Sequence, residues 1–511
     1  MKRHSLMLTA IAIISFSMTD GLMYAAQAAD SSDADSPPPL PVQEQPEVLT
    51  KGPVHEAFAS LVNLQEPEEI VVPVQPPENV REVPPADKPS GGQFAWVSGY
   101  WFWDAERVSF VWVSGCWRAS PPKMSWVPGY WMQAGKGWKW VAGFWMSAGV
   151  REIEYVKAPP PPPELDSSVQ PAAYDAMWVP GCWYWAQGQY VWRSGYWLQE
   201  QPGWIWNPSH YVWTPHGYVF VEGHWDYPLE RRGILFAPVC FPRSVHIVAG
   251  FSYSLDIVVD LGLLKVNLFT RPRYSHYYFG DYYDDACIRV GIYPRFENRQ
   301  RRSCYDPIFE YDKCRSRLGE SKWADKERNE YEIRHNDRGL RPSVTYREQE
   351  GRMSKLPEPQ RKNFQVARPL DAVVSDKSAS QKFERMDTDA QQNISRQVID
   401  VQKYREDRSR WESKPAASKM NTAVVPESVG TSNKGHDYAA PSSDRVKVPS
   451  SPIYDRQSSG NQGEAMPSVP NDENRGRYDS RSDRSDSRND SSRSDGRDTR
   501  RDDDGQHNRS R

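Results

Sequence analysis

Trp96-Val-Ser-Gly-Tyr-Trp101 is the stretch that decides the fold, because the chain repeats it. It returns as Trp112-Val-Ser-Gly-Cys-Trp117, Trp126-Val-Pro-Gly-Tyr-Trp131 and Trp140-Val-Ala-Gly-Phe-Trp145, then as Trp178-Val-Pro-Gly-Cys-Trp183 and Trp192-Arg-Ser-Gly-Tyr-Trp197. Two worn copies follow, Trp206-Asn-Pro-Ser-His-Tyr211 and Phe220-Val-Glu-Gly-His-Trp225. Nineteen of the 21 tryptophans fall in this region, so the phrase sets the physical character of the folded part.

The copies start at 96, 112, 126, 140, 178, 192, 206 and 220, a period of 14 with one spacing of 16 and one jump of 38. The jump contains Pro159 to Pro163, a run that cannot lie inside a sheet. Two blocks of four copies result, 94–150 and 174–228, separated by a Pro-rich linker at 151–173. Fourteen residues suit one strand of about ten residues plus a turn. An aromatic or apolar residue often stands two places before the first Trp (Phe94, Phe110, Met124, Trp138, Tyr190), which is strand alternation. Asp104-Ala-Glu106, Ser120-Pro-Pro-Lys123, Ala134-Gly-Lys-Gly137 and Gln187-Gly-Gln189 read as turns between repeats. The expected fold is mainly β: an antiparallel meander of Trp-rich repeats, followed by charged helices and a disordered tail. The glycine inside each phrase is expected to kink its strand, in preference to a tight hairpin that would pair the two Trp of one phrase. A buried Trp hides roughly 200 Å², worth about 5 kcal/mol, while ordering fourteen residues costs roughly 20 kcal/mol. One copy therefore cannot stand alone, and neighbouring copies must pack together.

Around the repeats the texture changes. Lys2, Arg3 and His4 precede an apolar run from Leu6 to Ile14, and Ala26-Gln27-Ala28 supplies a signal-peptidase pattern, so residues 1–28 read as a signal peptide. The mature protein is expected to be exported: periplasmic, envelope-associated or extracellular, with no transmembrane segment after signal removal. Residues 29–92 read as a Pro/Glu-rich disordered linker. Residues 229–310 read as a Tyr-rich β extension, and 306–413 as a charged helical region with helices near Pro307–Arg334 and Lys377–Trp411. The tail from 414 to 511 is Ser/Asp/Arg low complexity.

At net charge −3 the 511-residue chain has no field that favours nucleic acid. The six cysteines include no Cys-x-x-Cys pair; Cys116 and Cys182 occupy the same slot of two copies, so they form either a bridge or two buried thiols. Metalloprotease, nucleophile-elbow and phosphate-loop motifs are missing, so no catalytic residue, metal or cofactor is assigned. Asp281, Asp284 and Asp285 read as a solvated acidic loop rather than a Ca²⁺ site. His210, His216 and His224 lie near the worn copies, and histidine in the aromatic slot reads as a replacement for Tyr. Tyr100, Tyr130 and Tyr196 are the candidate stacking platforms for a glycan or a partner.

The repeated Trp-Val-x-Gly-aromatic-Trp resembles the WXXGXW/YXWGXW repeat family of secreted bacterial proteins, and the length and tail resemble planctomycete members. The blocks Phe269–Tyr283 and Tyr305-Asp-Pro-Ile308 are similar as well. The resemblance implies export and repeat architecture, and no catalytic residue. The expected function is a non-enzymatic envelope protein with a structural or adhesive role toward envelope proteins or cell-wall polysaccharide; the alternative is a glycan-binding module.

Overall fold

The eight phrases pair two by two. In the computed structural model, which describes residues 45–64, 71–163, 175–242, 251–297, 304–316, 320–379, 381–413, 443–453 and 467–468, consecutive phrases run antiparallel and form four long hairpins. Phe94–Val97 pairs with Cys116–Ala119 and Tyr100–Asp104 with Ser109–Val113, giving the first hairpin. Met124–Val127 with Phe144–Ser147 and Tyr130–Ala134 with Gly137–Val141 give the second. Ala176–Val179 with Tyr196–Gln199 and Cys182–Ala186 with Gln189–Arg193 give the third. Ile205–Asn207 with His224–Asp226 and His210–Thr214 with Gly217–Val221 give the fourth.

Register explains the phrase. The first Trp of one copy stands opposite the last Trp of its partner copy, as Trp96↔Trp117, Trp126↔Trp145, Trp178↔Trp197 and Trp206↔Trp225. The inner pairs are Trp101↔Trp112, Trp131↔Trp140 and Trp183↔Trp192, with Tyr211↔Phe220 in the worn hairpin. Ring centroids are 4.9–5.6 Å apart in the seven Trp pairs, at steep angles. Edge-to-face packing of this kind adds about 0.5–1.5 kcal/mol per pair beyond burial. The two Trp of one phrase do not pair with each other, as the kinked-strand reading expected.

The role of the glycine differs from that expectation. None of the phrase glycines has a positive φ; each is instead a seat for a ring. A Cβ on Gly115 would lie 2.5 Å from Cζ2 of Trp96, and one on Gly223 would lie 2.6 Å from Cζ2 of Trp206. Throughout the array, the first Trp of one phrase lies on the glycine of the facing phrase. Positive φ appears in the turns, where Gln187 (+50°) and Gly188 (+79°) make the two-residue loop of the third hairpin.

The segment at 29–92, expected to be a disordered linker, contributes to the core over 49–62 and at Val72, Val80 and Glu82. Val54, Ala57, Phe58 and Leu61 are buried in the main core with Trp126 and Trp145. Glu47–Val48 extends the first hairpin through Val239–Cys240, and Gly233–Leu235 adds to its other end. Pro53 and Pro89 of this segment lie in outer strands of their sheets, where a missing N–H is tolerated. In the Tyr-rich extension, Leu268–Arg271 and His276–Phe279 pair in a four-stranded sheet with Gly52–Pro53 and Tyr293–Pro294 on its edges. Glu152–Val156, inside the expected linker at 151–173, pairs with the fourth hairpin and with Asp444–Lys447. That last strand, and the fully buried Ile453 after it, lie in the expected disordered tail. The expected signal peptide and most of the tail fall outside the described residues.

Two helices, Pro307–Ser316 and Glu320–Asn336, replace the single helix expected over 307–334. The second expected helix is Thr388–Glu412, capped by Asp387, whose side chain accepts the Ala390 N–H. It buries Val398, Val401, Tyr404, Arg405, Arg408 and Glu412, a stripe at helical spacing. Among the described residues no helix is long and apolar enough to cross a membrane.

Candidate functional site

Each hairpin interrupts its ladder at the two x-Gly steps, leaving backbone groups that need partners elsewhere. In the first hairpin Glu82 meets this need. Its buried carboxylate accepts the Gly99 N–H at 2.9 Å, the Gly115 N–H at 2.7 Å and the Trp112 indole N–H at 2.7 Å. Arg405 of the long helix serves the carbonyls, donating to Gly99 O at 2.9 Å and Ser98 O at 3.1 Å. The second hairpin repeats the device. Glu56 accepts the Gly143 N–H at 3.0 Å and the Trp140 indole N–H at 3.3 Å. Arg408 donates to Pro128 O at 2.9 Å and Ala142 O at 3.0 Å, and pairs with Glu412 at 3.0 Å. In the fourth hairpin Ser209, standing in a glycine slot, accepts the Gly223 N–H on its hydroxyl at 2.9 Å.

Taking these charges out of water is expensive, and the ionisation equilibria register it. Burial pushes the Glu56 carboxyl up to about 7 against the pull of Trp140, Gly143 and the two arginines. Burial likewise raises Glu82, and lowers Arg405 despite the attraction of Glu56 and Glu82. His55 and His276, which flank Tyr100, are pushed down by burial to about 3 and about 4, so both rings are neutral at pH 7.

A cavity of about 150 Å³ opens beside Glu56, between the second and fourth hairpins. Trp131, Trp140, Trp145 and Trp213 contribute its aromatic walls. Lys139 reaches into the same wall, its Nζ 3.3 Å from the Trp213 ring centroid. At another side Arg118 grips Asp226 through both carboxylate oxygens, at 2.8 and 2.6 Å, and Arg232 joins at 2.9 Å. Burial alone would raise Asp226, but the two guanidinium groups overcome it and hold the carboxyl below its usual range. His210, also on the wall, is lowered to about 4 by burial. The cavity thus joins apolar ring faces to fixed charges, the composition of a small polar-ligand site.

The residues expected to carry the site are distributed differently. Tyr100 is buried, stacked on Trp140 at 4.8 Å, with its hydroxyl 3.0 Å from His276 Nε2. Tyr130 is buried and donates to Glu412 at 2.9 Å. Neither offers a free ring face, because the residue after the phrase glycine turns inward toward Glu56 or the long helix. Tyr196 is half-buried in the third hairpin. The Cys116–Cys182 bridge is not formed: all six cysteines are free thiols. Cys116 sits in the main core opposite Val97 and Leu235, whereas Cys182 belongs to the separate sheet of the third hairpin. Asp281 and Asp284 both face Arg341, at 3.6 and 2.9 Å. His216 lies 2.9 Å from Asp444, and His210 and His224 each face a backbone carbonyl two residues earlier. Sequence reasoning missed Glu56, Glu82, Arg405 and Arg408. The available signals were the three-residue Arg405/Arg408 spacing, the Arg408/Glu412 step of four, and single Glu residues among valines in Val54-His-Glu-Ala57 and Val80-Arg-Glu-Val83.

Fold and site together define a scaffold of Trp-paired β-hairpins, in the first two of which buried glutamate and arginine side chains close the glycine gaps. The WXXGXW repeat (2 copies) family matches residues 94–118, 124–146, 177–197 and 202–225. Each matched segment coincides with one hairpin, so residues 94–225 carry the WXXGXW repeat. No curated protein and no solved structure matches the chain significantly.

Proposed function

We propose that this is an exported, non-enzymatic protein of the cell envelope whose Trp-hairpin module is a structural or adhesive interaction scaffold. The observation that carries the reading is the unequal burial of the four hairpins. Trp96, Trp101, Trp112, Trp117, Trp126 and Trp225 are among the most completely buried side chains, whereas none of residues 182–200 in the third hairpin is buried. Rings consumed as core build a rigid frame, and a half-exposed aromatic face on that frame suits protein contact. The leader pattern ending at Ala28 supports export. The test is fractionation of cells expressing the full chain, followed by pull-down from solubilised envelope. Retention in the envelope fraction with defined protein partners is expected; a cytoplasmic protein, or an exported one recovered free and partnerless, overturns the reading.

The glycan-binding alternative is favoured by one specific observation, the Trp-walled cavity with Lys139, Arg118 and Asp226 on its sides. On this reading recognition falls at the cavity rather than on Tyr100 and Tyr130. Titration with cell-wall polysaccharide fragments should quench Trp fluorescence, and Trp213→Ala should abolish the quench. An unchanged emission spectrum with every fragment removes this alternative.

A further inference from the structure

The third hairpin carries the same glycine gap as the first two, and it carries it at the surface. Gly181 and Gly195 occupy the positions that Gly99 and Gly115 hold in the first hairpin, and Trp192 corresponds to Trp112 and Trp140. The geometry of the gap is preserved. The glycines approach the rings of Trp192 and Trp178, and an added Cβ would lie 2.7 Å from Arg193 O and 2.8 Å from Val179 O respectively. Exposure differs: Gly99 and Gly115 are buried, whereas Gly181 and Gly195 are half-exposed. Among the described residues, no side chain accepts from the Gly181 N–H, the Gly195 N–H or the Trp192 indole.

What such a gap binds is written in its sisters. Glu82 enters the first on the extended strand Arg81–Val83, and Glu56 enters the second. Both are glutamates from segments remote in sequence, and each takes one glycine amide and one indole N–H at the least. The third hairpin adds a charge: Arg193 stands where Val97, Val113, Val127, Val141 and Val179 stand in other phrases. Its guanidinium lies over the Tyr184 ring at 3.8 Å. That group lies on the strand face opposite Trp192, with Tyr184 and Cys182, so the preference for an anionic side chain comes from the amide and indole N–H groups, as in the sister gaps.

We propose that Gly181, Gly195 and Trp192 form a receptor for the glutamate carboxylate of an extended segment of a partner protein, docked as Glu82 is docked in the first hairpin. The inference deepens the interaction-scaffold reading by naming what the exposed hairpin recognises. It can fail while envelope retention stands, and the reverse, so the two failures are distinguishable.

The test uses the full chain labelled with ¹⁵N-glycine and ¹⁵N-tryptophan. The probe is a synthetic peptide of residues 78–86, Glu78-Asn-Val-Arg-Glu-Val-Pro-Pro-Ala86, alongside the same peptide carrying Glu82→Gln, and acetate. The Gly181 and Gly195 amide and Trp192 indole signals are expected to move downfield and saturate with the glutamate peptide, and to stay in place with the glutamine peptide. Equal responses to both peptides, no response, or an equal response to acetate at the same concentration overturns the proposal. So does a chain whose Gly181 and Gly195 signals already lie downfield with those of Gly99 and Gly115 and ignore the peptide, because its own carboxylate then fills the gap.

Discussion

Gly115→Ala probes the ring seat directly. The added methyl would sit 2.5 Å from Trp96 Cζ2, 2.6 Å from Glu82 Oε2 and 2.7 Å from Val97 O. Ordinary contact begins near 3.4 Å, so the ring must retreat by almost 1 Å. It has nowhere to go: Trp96 is fully buried, edge-on to Trp117 at 5.3 Å and against Phe236 at 5.8 Å. Overpacking a fixed core costs about 1–3 kcal/mol. Displacing the Glu82 carboxylate from the Gly115 N–H costs about 1.5–3 kcal/mol more, as a hydrogen bond to a charged group. Loss of unfolded-state freedom returns about 0.4–1 kcal/mol. The expected destabilisation is therefore about 2–5 kcal/mol, read from urea midpoints followed by Trp fluorescence and by far-UV circular dichroism. Two controls frame it. Gly351→Ala, in the helix Tyr346–Met353 with nothing near the new methyl, should stabilise by about 0.5–1 kcal/mol. Gly195→Ala meets Trp178 and the Val179 carbonyl oxygen in a half-exposed hairpin with no buried carboxylate to displace, so it should cost less, about 1–2 kcal/mol. A Gly115→Ala protein within about 0.5 kcal/mol of wild type, or one no worse than Gly195→Ala, refutes the reasoning.

Glu56 gives a pH signature. Its folded value, about 7, lies above the ordinary 4.5, so the folded state holds the extra proton across that window and wild type loses stability as pH rises through it. Glu56→Gln lacks this loss, so its stability relative to wild type should climb by on the order of 3 kcal/mol between pH 4.5 and 8. His55 and His276 act in the opposite direction, but in both proteins alike; a flat difference across the window contradicts the assignment. Arg408→Leu strands the buried Glu412 and should cost about 3–5 kcal/mol in denaturant titration, with Arg408→Leu/Glu412→Leu recovering part of it. Alkylation of the unfolded chain without reductant should add six groups by intact mass, and a bridge between Cys116 and Cys182 would lower that count by two.

The strand character of the repeats was legible because alternation and turn residues are local properties. Ala134-Gly-Lys-Gly137 and Gln187-Gly-Gln189 close hairpins where the turn chemistry placed them. Pairing was not legible, because Trp126 would satisfy its ring as well beside Trp131 as opposite Trp145; only register distinguishes them. The seat under each ring escaped for the same reason, since the atom that forbids a Cβ on Gly115 belongs to a residue on the facing strand. Glu56 and Glu82 sit in a stretch whose prolines and acids look solvated, and only the unpaired amides of distant hairpins make them core residues. The long helix presents Arg405 and Arg408 on its buried face, which an apolar pattern cannot reveal. Asp444–Lys447 is a strand because Glu152–Val156 offers an open edge, a property of the partner and not of the tail.

Facing phrases, and not the two halves of one phrase, share each aromatic pair and each glycine seat. Proton NMR of the Trp- and Gly-labelled chain tests it through nuclear Overhauser contacts. The expected pattern links the Gly115 α-protons to the Trp96 indole and the Gly223 α-protons to the Trp206 indole, with ring-current upfield shifts on both glycines. It also links Trp96 to Trp117 and Trp101 to Trp112. Contacts from Trp96 to Trp101 within one phrase, with unshifted glycine protons, would contradict the account.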